Sequence, residues 1–75
     1  MKNKTYLTNM FKTWRTTIGY SQDETAEILE VLLKRKITQS MVQKWEAGKR
    51  PIDMKIAIEI SRYIKVGISE LIERR

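Results

Sequence analysis

Between Thr38 and Lys44 the chain reads Thr-Gln-Ser-Met-Val-Gln-Lys. At helical spacing, Met41, Val42 and Trp45 fall on one side and Gln39, Ser40, Gln43 and Lys44 on the other. No carboxylate appears until Glu46. An exposed helix side commonly carries Glu–Lys pairs, which stabilise it. This one offers amides, a hydroxyl and a single ammonium. Gln can pair bidentately with adenine, Lys can donate to guanine, and Ser can donate or accept at a base edge, whereas carboxylates would be repelled by phosphates. The same side chains also make neutral filler on a solvent face, and their types alone do not decide between the two.

The flanks add to the chemical reading. Ser21 and Gln22 open a helical pattern, and the free N–H groups at a helix start can hold a phosphate. Lys49 and Arg50 leave the polar segment in a loop stiffened by Pro51. Two phosphate anchors bracketing a polar helix match the way a helix is held in a DNA groove.

Charge follows the same division. Fifteen Lys and Arg oppose nine Asp and Glu, giving +6 and a pI near 9.8. Six bases (Lys34, Arg35, Lys36, Lys44, Lys49, Arg50) and one acid lie between residues 34 and 50, while Asp23 to Glu30 holds four acids and no base. That polarity describes one basic face, suited to a polyanion such as nucleic acid, an anionic membrane or an acidic protein. Cysteine and histidine are both absent. With no thiolate or imidazole, the commonest nucleophile, general base and metal ligands are missing, so an enzyme, a metal site, a cofactor and a small-molecule substrate are not expected.

The positioning elements are read from periodicity and punctuation. Leu7, Met10, Phe11, Trp14 and Ile18 define a first helix over about Tyr6 to Ile18, closed by Gly19. Ser21-Gln22-Asp23-Glu24 fits a capping box for a second helix, Gln22 to about Lys34, with Ala26, Leu29 and Leu33 as its apolar stripe. Thr38 caps a third helix, Gln39 to Ala47, ended by Gly48. Asp53 caps a fourth, with Ile56, Ala57, Ile60, Tyr63 and Ile64 on one face. A short fifth spans about Ile68 to Glu73. Nothing alternates with period two for long enough to suggest a sheet, so the class expected is all-α. The 75 residues make one domain, with its core over about 6–73. Neither a signal segment nor a run of the roughly 18 apolar residues of a membrane span is present, and the expected setting is the cytoplasm.

Three segments together, SQDETA, TQSMVQKWEAGKRP and IS..I.V...EL, resemble the Cro and phage-repressor (XRE-type) helix-turn-helix domains. The matching positions are Arg15, Gly19, Ser21, Gln22, Glu24, Ala26, Val42, Trp45, Glu46, Gly48 and Arg50, within a likeness running from about Leu7 to Leu71. The resemblance implies a compact five-helix bundle whose second and third helices form the helix-turn-helix. Thr38, Gln39, Ser40, Gln43 and Lys44 would then face bases, and Ser21, Gln22, Lys36, Lys49 and Arg50 would face phosphates. Arg15 and Glu46 match a structural ion pair joining the first helix to the end of the reading helix. Three departures stand out. The connection LEVLLKRKIT is longer by about six residues than the tight turn such domains use. It either extends the second helix or forms a loop, and Lys34, Arg35 and Lys36 within it either add phosphate contacts, with Lys36 the candidate, or point to water. Arg50 is followed directly by Pro51, which shifts the fourth helix's start. Gly67 stands where a Ser cap is usual, so the last helix should fray.

What the resemblance implies functionally is a sequence-specific regulator binding a double-stranded DNA operator. With no room for an effector or cleavage domain, a Cro-like repressor acting by occupancy leads. An antitoxin or restriction controller of the same fold is the alternative within the class, and a basic protein-interaction module the alternative outside it. A homodimer, forming only on DNA or before it, would draw on Ile68, Leu71, Ile72 and the Arg74-Arg75 tail.

Overall fold

The computed structural model describes residues 3–75. In chain order they form β1 (Thr5–Leu7), α1 (Asn9–Ile18), α2 (Gln22–Leu33), α3 (Gln39–Glu46), α4 (Met54–Ile64), α5 (Ile68–Leu71) and β2 (Ile72–Arg74). The fold is mostly helical, with five helices and a minor two-stranded sheet.

Local chemistry sets most of the helix starts. Thr8 Oγ1 accepts from the Met10 N–H, Thr38 Oγ1 from the Met41 N–H, and Asp53 Oδ1 from the Lys55 N–H. The Ser21–Glu24 box is reciprocal: Ser21 Oγ accepts from the Glu24 N–H at 3.0 Å, and the Glu24 carboxylate accepts from the Ser21 N–H at 2.8 Å. Each such cap satisfies donors that a helix otherwise leaves open, for about 1 kcal/mol. Gly67 precedes α5 and offers no side-chain cap, and that helix lasts one turn.

The sheet departs from the sequence reading. β1 pairs antiparallel with β2 in the register Thr5–Arg74, Tyr6–Glu73 and Leu7–Ile72, and Lys4 and Arg75 exchange two backbone hydrogen bonds beyond it. The paired backbone therefore runs from Lys4 to Arg75. The first helix starts at Asn9 and not Tyr6, because Thr8 caps it and its hydroxyl donates toward the Glu70 and Leu71 carbonyls. The last helix stops at Leu71 and not Glu73, its tail being drawn into the ladder. Ile52 ties the fourth helix's approach to the same sheet through its N–H to the Thr5 carbonyl, 2.8 Å.

Phe11, Leu29, Val42, Trp45, Ala57, Ile60 and Leu71 form the centre of one core, extended by Leu7, Ala26, Ile37, Ile52, Ile56 and Ile64. Leu71 is fully buried, and Ile68 and Ile72 pack against the core while staying partly exposed. Met10, Ile18 and Tyr63, read as core-facing, are exposed instead. The long connection resolves into both options in part: α2 ends at Leu33, Lys34 turns the chain in the left-handed region, and Ile37 plugs the following loop into the core. Among the described residues no helix is long and apolar enough to cross a membrane.

Candidate nucleic-acid interface

Helix α3 is oriented from both sides. Val42 and Trp45 are buried beneath it. From its last residue, Glu46 accepts a forked pair from Arg15: Nε to Oε2 at 2.6 Å and Nη2 to Oε1 at 2.9 Å. A third Arg15 nitrogen, Nη1, donates to the Tyr20 carbonyl. The two side chains are 11% and 4% exposed, so the pair is shielded from water and salt. The hydrogen bond to Glu46 holds the Arg15 pKa above its ordinary value, against the opposing pull of burial. The Gln22 amide N–H joins the same carboxylate at 3.1 Å. One carboxylate thus fastens α1, the start of α2 and the end of α3 together.

That clamp turns the other side of α3 outward. Gln39, Ser40, Gln43 and Lys44 are all exposed. The side-chain hydrogen bonds around α3 run to Glu46 and Thr38, and among the described residues none engages these four. Gln43, Lys44, Ala47 and Lys49 line one shallow cleft, which brings a phosphate-binding candidate beside two base-reading candidates. Lys49 is set there by the turn after α3, where Gly48 adopts φ +71° and the Lys49 N–H reaches back to the Lys44 carbonyl. Arg50 is exposed immediately after it. Lys36 is exposed in the loop ahead of Thr38, so cations stand before and after the helix.

Three of the sequence candidates are more committed than their types suggested. Thr38 is half-buried and its oxygen serves as the α3 cap, which leaves its hydroxyl proton for an outside acceptor. Gln22 spends one N–H on Glu46 and keeps a second N–H and its carbonyl. Ser21 is locked in the capping box, with the Glu24 carboxylate on the same helix start. A phosphate approaching there meets only the Gln22 and Asp23 N–H groups, beside two acidic side chains. The Gln22–Glu46 contact spans 24 positions in the chain, and no local spacing announces it.

The arrangement is a rigidly held helix end-fastened by a buried ion pair, with neutral hydrogen-bonding side chains outward and cations at both ends. Such a surface can form paired hydrogen bonds with base edges while its cations neutralise phosphates. A family model described as helix-turn-helix matches residues 11–71. No curated protein and no solved structure matches the chain.

Proposed function

The chain belongs to the Cro/C1-type helix-turn-helix family of DNA-binding transcription regulators, and we propose that it is a sequence-specific repressor acting by operator occupancy, as Cro-like proteins do. α3 enters the major groove. Gln39, Ser40, Gln43 and Lys44 read base edges, assisted by the Thr38 hydroxyl. Lys36, Lys49 and Arg50 neutralise phosphates, and the start of α2, through Gln22 and Ser21, contacts the backbone weakly. Arg15 and Glu46 touch no DNA; they set the angle at which α3 is presented.

The observation that supports this reading is the unengaged outward face of α3, made of hydrogen-bonding side chains without a carboxylate. Glu–Lys pairs, which commonly stabilise an exposed helix side, are missing from it. Two copies on a two-fold operator, with half-sites about 34–36 Å apart, give the symmetry such regulators use.

Selection of bound duplexes from a random library tests the proposal. The expected consensus is a pair of inverted half-sites about one helical turn apart. Equal affinity for every sequence would overturn it.

A further inference from the structure

On the α2–α4 side, the middle of α2 and the end of α4 leave an open trough. Ile28, Val31, Leu32 and Tyr63 line it, with Glu27 on its edge. A second hollow continues from it, sharing Leu32 and Tyr63 and adding Glu59 and Arg62. Val31 is 80% exposed and Tyr63 41% exposed. Isolated apolar side chains on a surface are ordinary, whereas here four adjoin in one concave strip. The Tyr63 ring is backed by Trp14, edge-on with centroids 5.9 Å apart, so this wall of the trough is supported from beneath.

Charge selects the occupant. The protein carries +6, yet α2 bears Asp23, Glu24, Glu27 and Glu30 without a base. Glu27 and Glu59 border the apolar floor against one base, Arg62, and among the described residues neither carboxylate forms an ion pair; the two pairs present are Arg15–Glu46 and Arg75–Glu73. Nucleic acid is repelled from such a rim. A cationic segment is repelled by most of this chain and attracted here. The floor accepts side chains recurring every three to four residues, the spacing of a helix laid in a groove.

We infer that the α2–α4 trough docks a basic amphipathic segment of another protein, its apolar stripe on Ile28, Val31, Leu32 and Tyr63 and its Lys or Arg side chains against Glu27 and Glu59. This inference does not rest on DNA reading. The two surfaces use different residues and opposite charge.

The test uses the full chain and two synthetic peptides with Leu at i, i+3, i+4 and i+7 positions, the remaining positions being Lys in one and Glu in the other. The Leu/Lys peptide should bind saturably, shift the NMR signals of Ile28, Val31, Leu32 and Tyr63, and change the emission of Trp14. Val31→Lys and Glu27→Lys/Glu59→Lys should each weaken it by about tenfold or more, the range expected when an interface anchor is removed. Val31 is exposed and Lys is a better helix former than Val, so the first variant retains the fold. Duplex DNA binding by Val31→Lys should be unchanged, which separates failure here from failure of the repressor reading. Equal binding of both peptides, or undiminished Leu/Lys binding by the variants, would overturn the inference. So would trough signals that shift with protein concentration alone, since the occupant would then be a second copy of this chain.

Discussion

The outward face of α3 and the trough between α2 and α4 are both helical surfaces resting on the same core, and they differ in nearly every side chain. On α3 stand Gln39, Ser40, Gln43 and Lys44, with cations before and after. In the trough are Ile28, Val31, Leu32 and Tyr63, edged by Glu27, Glu59 and a single base, Arg62. One face offers hydrogen bonds and little to bury; the other offers apolar area and few donors. Helix α2 separates them. Its first residue reaches Glu46 at the end of α3, Ala26 and Leu29 enter the core, and Val31 points to water. A domain of this size can therefore hold two chemically opposed surfaces, provided one helix serves as the partition. The Arg15–Glu46 pair belongs to the α3 side of it.

Breaking that pair should produce the largest effect. Glu46→Ala leaves the Arg15 guanidinium buried without its carboxylate and frees the Gln22 amide, at a cost of about 3–5 kcal/mol by the usual penalty for an uncompensated buried charge. That approaches the whole stability of many small domains. Urea denaturation should show the midpoint collapse. The double variant Arg15→Met/Glu46→Leu, which removes both charges, should recover much of the deficit. A Glu46→Ala protein within about 1 kcal/mol of the parent would mean that the pair does not hold α3. Because the Arg15 pKa is raised in the fold, the stability linked to Arg15's own proton is fully present at neutral pH and is lost as pH climbs past the ordinary arginine range. Stability between mildly acidic and mildly alkaline pH should not change on Arg15's account.

The second effect sharpens the comparison by touching one face alone. Gln39→Ala and Gln43→Ala should each reduce discrimination between the selected operator and a scrambled duplex by about 1–3 kcal/mol, the scale of one bidentate base pairing. Stability should move by no more than about 0.5 kcal/mol, as for surface sites without buried partners. Unchanged discrimination would remove the base-reading role and favour an interaction module. Lys49→Ala and Arg50→Ala should act differently: affinity falls for all sequences alike, and the slope of log affinity against log salt becomes shallower by about 0.9 for each phosphate no longer neutralised. A weakening confined to one sequence would make these residues readers and not anchors.

What the sequence discloses about the two faces follows the range of the interactions involved. Caps are local. Ser21 with Glu24, Thr38 and Asp53 each announce a helix start within four residues, and those three starts lie where periodicity put them. The outward set on α3 is equally local, because Val42 and Trp45 fix the opposite side. The β1–β2 ladder is not. It joins Thr5 to Arg74, each strand holds three residues, and Leu7 and Ile72 fit a helical stripe as well as a strand. The ladder, with the Thr8 hydroxyl and N–H donating to carbonyls at the far end of the chain, decides that α1 starts after Thr8. The trough is hidden for a related reason. Tyr63 continues the stripe of Ile56 and Ile60 in projection, but Trp14 occupies the space beneath it and leaves part of the ring in water. Gln22 shows the same limit, since its partner is remote in sequence.

The smallest expected effect is the one that tests whether the two faces are independent. Val31→Ser removes the most exposed apolar side chain of the trough while keeping helix propensity nearly constant, Val and Ser ranking close together in a helix interior. Val31 is 80% exposed, so little buried area is removed and no cavity opens. Unfolding free energy should change by less than about 0.5 kcal/mol, and affinity for the operator should match the parent within error. The Leu/Lys peptide should bind less well. If the variant instead loses operator affinity, Val31 influences α3 through the shared body of α2, and the helix would act as a lever between the surfaces and not as a wall. Measuring operator affinity and urea midpoint on the same preparation tells the outcomes apart, because a lever changes affinity without moving the midpoint, whereas a packing defect moves both.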